Sequence, residues 1–276
     1  MFNKRPVCGL GTVFLEGVVM RYSTKLVLGL LFAFALAASS AFASGGLTVD
    51  MDNGENIYNN GKEDTGVPAC QGCHMPDGMG SDDLGTPRLA GQIFQFIVKQ
   101  MEDYALDKRE DTTMYIMNSN AKGLTSQERL DVAAYISQWQ HDRETVDASV
   151  SDLNAIKANG VEVGETHLGK AIVNHGISEK GVAACRSCHD YNGRGVEPLF
   201  PMIGQQKYTY LVAQMKQWRE GTRSNDPQAI MRNVAKNMSD EDINNVAAYL
   251  STKEASPYSL GNSRLPHRFT PFETHH

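Results

Sequence analysis

Cys70-Gln71-Gly72-Cys73-His74 recurs 115 residues later as Cys185-Arg186-Ser187-Cys188-His189. Cys-x-x-Cys-His is the attachment signature of c-type haem. Two cysteines at this spacing can each form a thioether with one of the two vinyl groups of the porphyrin. The adjacent His then lies under the ring with a nitrogen aimed at the iron. The two copies account for four of the chain's five cysteines. A thiol redox pair or half of a zinc site would use the same sulfurs. A zinc site, however, would bring the four sulfurs together and would leave the His in both motifs unexplained. The pattern therefore predicts two covalently attached haem c groups, one held by Cys70 and Cys73, the other by Cys185 and Cys188, with His74 and His189 as axial ligands.

The chain has 276 residues, 41% hydrophobic and 21% charged, which is ordinary for a globular protein. Its N-terminal part reads as a targeting signal. Met20 to Lys25 is a short basic stretch, Leu26 to Ala38 is an apolar run, and Ala41-Phe42-Ala43 is a small-x-small cleavage site. Such a segment is a secretory signal peptide cleaved after Ala43, too short for a comfortable membrane span, with an uncleaved anchor as the alternative. Residues 1–19 precede the signal; if Met20 is the true start, Cys8 falls outside the protein. From residue 44 onward the chain carries 22 basic and 31 acidic side chains, a net charge of −9, which argues against nucleic acid as a partner. Export fits the cysteine usage, because thioether attachment of haem takes place outside the bacterial cytoplasm; the expected location is the periplasm.

The repeat extends well beyond the two pentapeptides. Gly54 to Gly61 matches Gly169 to Gly176 at the same offset, and after the motif the offset becomes 114. Pro87 then pairs with Pro201, Gln92 with Gln206, Gln100-Met101 with Gln214-Met215, Ile116-Met117 with Ile230-Met231, and Val132 to Tyr135 with Val246 to Tyr249. This divides the chain into a pre-segment and signal over 1–43, a first domain over 44–140, a linker over 141–163, a second domain over 164–251 and a tail over 252–276. The linker is polar and reads as an ordered or semi-ordered strap over the surface. The tail, with Pro257, Pro266 and Pro271, predicts no regular element. Each domain reads as all-α. A first helix holds Ile57-Tyr58 or Ile172-Val173. A second runs over 92–104 or 206–219, and a loop with a short helix follows. The last helix is announced by a capping box at Thr125 to Glu128 and at Ser239 to Asp242. Val132, Ile136 and Trp139 fall on one face of that helix. No alternating run is long enough for a sheet. A domain of about 90 residues has little apolar core without its haem, so the apo chain is expected to be unfolded or molten.

The second axial position of each iron needs a ligand from downstream. A neutral thioether suits a high potential because it favours ferrous iron. Met117 and Met231 share a repeat position, each eight residues before the cap of the last helix, in a segment that reads as irregular. Met114 competes in the first domain, but its repeat partner is Gln228. Met101 and Met215 also repeat and read as core. Pro87 and Pro201 are expected to border the haem and help orient the His. Tyr104 and Trp218 share a position and either reach a propionate or are plain core aromatics. Arg109 and Arg223 are propionate partners or solvated surface. His141, His167, His175 and His267 have no repeat partner and read as surface; His275-His276 is a weak metal site or a terminal remnant.

With these residues in place, the chain resembles the di-haem cytochromes c of the c4 type, two class I cytochrome c domains in tandem. The resemblance is carried by the two Cys-x-x-Cys-His motifs, Pro87-Arg88-Leu89-Ala90-Gly91-Gln92, Arg219 to Asp226, Ile230 to Asn233 and Ser239 to Asp242, and it covers about 50–251. The family's axial methionines fall on Met117 and Met231. One departure is Gln205, where a Gly is usual. The resemblance implies haems facing each other across the domain interface. It also implies a periplasmic role, often at the inner membrane, passing electrons from a quinol-oxidising complex towards a terminal oxidase or reductase. Three readings follow. The first is a carrier without catalysis of its own, favoured by the methionine in register in both repeats. The second is a cytochrome subunit bound to a catalytic partner, as in sulfide-oxidising flavocytochromes; the third is a di-haem peroxidase. Residues 44–140 carry a net −8 and residues 164–251 a net +1. The protein is therefore expected to be dipolar, with the second domain meeting the more acidic partner through residues such as Lys207, Lys216 and Arg232.

Overall fold

The computed structural model describes residues 48–112, 115–139 and 143–256. The signal segment, Met114, His141, His267, His275-His276 and the tail beyond 256 lie outside them. The first domain contains α1 (Met51–Asn60), α2 (Gln71–His74), α3 (Phe94–Ala105), α4 (Ile116–Lys122) and α5 (Ser126–Ser137). Two short helices follow, α6 (Arg143–Ala148) and α7 (Leu153–Ala158). The second domain repeats the first set as α8 (Thr166–His175), α9 (Arg186–His189), α10 (Tyr208–Glu220), α11 (Ile230–Ala235) and α12 (Asp240–Leu250). There is no strand among the described residues, only isolated bridges such as Lys62 with Val67 and Ile177 with Val182.

The last helix of each domain starts where its capping box predicts. Thr125 accepts from the Glu128 N–H while Glu128 reaches back to the Thr125 N–H, and Ser239 and Asp242 do the same for α12. The first helix crosses the last at very short range. A Cβ on Gly54 would stand 2.3 Å from the Asp131 carbonyl oxygen, and one on Gly169 would stand 1.8 Å from that of Asn245. Only glycine permits that approach. The side chains at the crossing then bond the opposing chain: Asp131 accepts from the Asp50 N–H, and Asn245 accepts from the Glu165 N–H. Around the crossings lie two cores. One gathers Ile57, Tyr58, Phe94, Ile97, Val132 and Ile136; the other gathers Val173, Tyr208, Ile243, Val246, Tyr249 and Leu250. Met101 and Met215 pack against these cores. Trp139 lies just beyond the end of α5 and meets Tyr58 edge-on, with ring centroids 4.8 Å apart.

The linker is ordered, as a strap would be, but it is not only a polar surface segment. Val146 of α6 is buried against Met79 and Ala90 of the first domain, and Ile156 of α7 joins the core of the second. Val146, and Ile156 with Leu153 and Val163 beside it, staple the linker to both domains. The start of the tail also departs from expectation. Lys253–Ala255 forms a 3₁₀ turn, and Ala255 and Ser256 are fully buried. Asn192 donates from its amide to the carbonyls of Glu254 and Ser256 and so fixes that turn.

Candidate haem centres

Each Cys-x-x-Cys-His motif is one turn of helix, α2 or α9, and the next residue, Met75 or Asp190, takes a positive φ of 69° or 60° that turns the chain sharply away. Cys70 and Cys185 are partly buried. Burial pushes each of these two thiols up to about 11. They are held as neutral thiols, the opposite of what a thiol redox motif requires. Among the described residues no three His, Cys, Asp or Glu side chains converge as a metal-binding group, so the four sulfurs do not assemble a zinc site.

His74 and His189 are buried, each 6% exposed. His74 Nδ1 lies 3.2 Å from the Pro87 carbonyl oxygen, and His189 Nδ1 lies 2.8 Å from that of Pro201. A carbonyl can only accept, so Nδ1 carries the proton and Nε2 is left with its lone pair. Burial lowers the affinity of both rings for a second proton and outweighs the prolyl carbonyl, which raises it. Each motif thus presents one neutral, oriented imidazole.

Met117 and Met231 lie in the first turns of α4 and α11, which is more regular than the sequence predicts. A left-handed residue precedes each helix: Tyr115 at φ 63°, and Gln228 and Ala229 at φ 53° and 57°. The two turns are held differently. In the first domain Asp111 accepts from the Met117 N–H at 3.2 Å. Asn118, fully buried, bonds the carbonyls of Tyr104 and Arg109 and accepts from the Asp111 N–H. In the second domain Asp226 accepts from both the backbone N–H and the Nε of Arg232, at 3.0 and 2.8 Å.

Between the domains lies a group of polar side chains. Arg109 and Arg223 are 4% and 6% exposed, so the reading of them as solvated surface is overturned. Their guanidinium groups lie over Tyr104 and Trp218, 4.6 and 4.2 Å from the ring centroids. Arg109 donates to Gln100, Gln214 and Tyr210, and Arg223 donates to Gln214, Gln100 and Asn225. None of these acceptors is a carboxylate. Arg109 Nε is buried with no acceptor at all. Burial, with the Arg109 charge added, pushes Arg223 down to about 9. Two buried cations with no carboxylate acceptor and a spare donor suit an anionic group, and haem propionates supply that charge. The donor set therefore fits haem at both motifs.

The cationic surface expected on the second domain is not a free set. Lys207 is buried and donates to the Ser149 carbonyl, Lys216 pairs with Asp240, and Arg232 pairs with Asp226. His167 and His175 are exposed, as the sequence suggests. Sequence reasoning noticed the repeated glutamines 92, 206, 100 and 214 only as register marks; the structure places all four in the interface.

A family model described as cytochrome c matches residues 51–140 and again 169–254. The thiosulfate dehydrogenase electron acceptor of Stutzerimonas stutzeri is 34% identical over 199 residues, covering 72% of this chain and 85% of that protein. Cytochrome c4 of Pseudomonas aeruginosa is 32% identical over 183 residues, covering 66% of this chain and 82% of that one. Among solved structures, the thiosulfate dehydrogenase TsdBA of Marichromatium purpuratum superposes with a TM-score of 0.63 at 28% identity, over 74% of this chain and 40% of that chain. The chain belongs to the cytochrome c family, whose members hold haem c covalently, with two such domains in tandem. Within the family it is a c4-like electron-transfer protein. No helix among the described residues is long and apolar enough to cross a membrane.

Proposed function

We propose that this chain is an exported di-haem electron carrier with no catalysis of its own. Cys70 and Cys73 hold one haem and Cys185 and Cys188 the other, with His74 and Met117, and His189 and Met231, as the axial ligands. The bound haems supply reversible one-electron chemistry at iron. The protein's part is to orient and to exclude. The carbonyls of Pro87 and Pro201 hold the two imidazoles in one tautomer. The cores around Tyr58 and Tyr208 keep water out, and Arg109 and Arg223 neutralise propionates at the interface.

The observation that carries this reading is the duplicated centre: a buried imidazole with its Nδ1 tied to a prolyl carbonyl, and a methionine in register on a short helix, in both domains. The expected location is the periplasm. The donor would be a quinol-oxidising complex or another reductant, and the acceptor a terminal oxidase or reductase. A second reading, acceptor subunit of a sulfur-oxidising enzyme, is favoured by the relatives named as electron acceptors of thiosulfate dehydrogenase. A redox-titrated absorption spectrum with a covalent haem count tests the first reading: fewer than two attached haems would end it. Reduction of the purified protein by thiosulfate, with and without an added thiosulfate dehydrogenase, separates the two. Reduction only with that enzyme supports the second.

A further inference from the structure

Each domain completes a hydrogen-bond chain that begins on the other domain's histidine. The peptide unit between Pro87 and Arg88 is bonded at both ends. Its carbonyl accepts from His74 Nδ1 at 3.2 Å, and its N–H donates to Gln206 Oε1 at 2.6 Å. The unit between Pro201 and Met202 is the counterpart. Its carbonyl accepts from His189 Nδ1 at 2.8 Å, and its N–H donates to Gln92 Oε1 at 2.9 Å. Both carboxamides are 5% exposed and clamped on their other side: Gln206 Nε2 donates to the Arg88 carbonyl and Gln92 Nε2 to that of Met202. The N–H of the next residue, Lys207 or Ile93, also donates to the same Oε1.

A peptide group transmits polarisation. When its N–H donates a hydrogen bond, electron density moves to its carbonyl oxygen, which becomes a better acceptor; in such chains each bond gains roughly 10–30%. A better acceptor at Nδ1 gives the imidazole more anionic character and makes Nε2 a stronger donor to a metal. We propose that Gln206 sets the donor strength of His74, and Gln92 that of His189, each acting across the domain interface as a positioning residue. The inference rests on the assignment of the two histidines as axial ligands. Any bond would serve to hold two domains together. Here the bond lands on the one peptide unit whose far end holds the histidine, and it does so twice in register.

The test uses the haem-loaded protein and the variants Gln206→Met and Gln92→Met, which keep the length of the side chain and remove the acceptor. Two quantities are read: the two midpoint potentials, and the paramagnetically shifted Nδ1–H resonances of His74 and His189, which assign each change to a domain. Gln206→Met is expected to raise the midpoint of the haem on His74 and to move only the His74 Nδ1–H signal. Gln92→Met is expected to do the same to the haem on His189. Lys99→Ala removes a different bridge across the interface, Lys99 Nζ to the Asn225 carbonyl at 2.7 Å, and is expected to leave both Nδ1–H signals in place. Gln206→Glu keeps an acceptor for the Arg88 N–H if the Met variant fails to fold, and is expected to lower the midpoint of the haem on His74. Equal movement of both haems, movement of the haem in the mutated residue's own domain, unmoved signals in the Met variants, or an unchanged or raised midpoint in Gln206→Glu would overturn the inference. A wild-type protein without two histidine-ligated haems would instead overturn the function proposed above.

Discussion

Arg109 and Arg223 come from different domains and donate to the same oxygen: Gln214 Oε1 lies 2.7 Å from Arg109 Nη2 and 2.5 Å from Arg223 Nη1. Two guanidinium groups sharing one acceptor are about 5 Å apart and repel by about 3 kcal/mol at an effective dielectric constant of 20. Gln100 doubles the arrangement by accepting from both arginines as well. The protein thus concentrates positive charge where its two halves meet.

That placement leads to a prediction about both centres at once. Removing one of the cations relieves ferric iron of a neighbouring positive charge, whichever domain the arginine came from. Arg223→Met and Arg109→Met are each expected to lower both midpoint potentials. A spectroelectrochemical titration resolves the two. A drop confined to one haem would mean that the charges are not shared.

The axial methionines can be tested by opening the site. Met117→Ala and Met231→Ala are each expected to let ferrous iron take up carbon monoxide in one domain only, seen as half of the full spectral change. Met101 and Met215, which pack against the cores, provide the controls. Met101→Leu and Met215→Leu are volume-conserving and are expected to leave carbon monoxide uptake absent and to cost less than about 1.5 kcal/mol of stability.

Much of this was legible in the sequence because the chain states it twice. The capping boxes and the His-bearing turns fall at matched offsets, and local chemistry suffices to place them; glycines 54 and 169 are visible in the sequence only as matched repeat positions, and their close crossing of the last helix is a non-local contact. What sequence reasoning missed is non-local or asymmetric. The burial of Arg109 and Arg223 depends on the other domain's helix, and nothing near either residue in sequence announces it. The aspartates that hold the ligand turns are out of step: the 114-residue register would set Thr112, not Asp111, opposite Asp226. The helices of the linker are seated by contacts far along the chain: Val146 on Met79 and Ala90, Ile156 in the second core, and Ser151 bonded to Ser251 and Tyr208.

The capping boxes give the fold an acid limit. Burial alone would raise the Glu128 carboxyl, but hydrogen bonds from Lys62 and Thr125 outweigh it and hold it below its ordinary 4.5. For Asp242, bonds from Lys180 and Ser239 outweigh burial in the same way and hold it below 3.8. A carboxyl held low in the folded state binds fewer protons there than in the unfolded chain. Its contribution is complete above the unfolded value and is lost as pH falls through the folded one. Stability of the haem-loaded protein is therefore expected to decline from about pH 4.5 downward. Thr125→Ala and Ser239→Ala are each expected to cost about 1 kcal/mol at neutral pH. Each should also flatten the acid decline, because its carboxyl loses a partner. Denaturant titrations at pH 7 and pH 4 check both statements.

Gln205 stands where the first domain has Gly91, and both take a left-handed backbone, φ 55° and 77°. A non-glycine residue there costs roughly 1–2 kcal/mol. In return Gln205 Nε2 donates to Asp147 of α6 at 2.8 Å, a bond worth roughly 1.5–3 kcal/mol because its acceptor is charged. Two residues on, Lys207 Nζ donates to the Ser149 carbonyl at 2.6 Å, so both contacts hold the same linker segment. The two terms for Gln205 nearly cancel. Gln205→Gly is expected to leave global stability within about 1 kcal/mol of wild type. The local consequence is different, because the Gln205–Asp147 bond is one of the contacts that seat α6, the part of the linker nearest the first domain. Limited proteolysis of the Gln205→Gly protein is expected to cut first between 143 and 158, at a rate several-fold above wild type. An equal rate of cutting in the two proteins would show that the remaining contacts hold the linker without the Gln205–Asp147 bond.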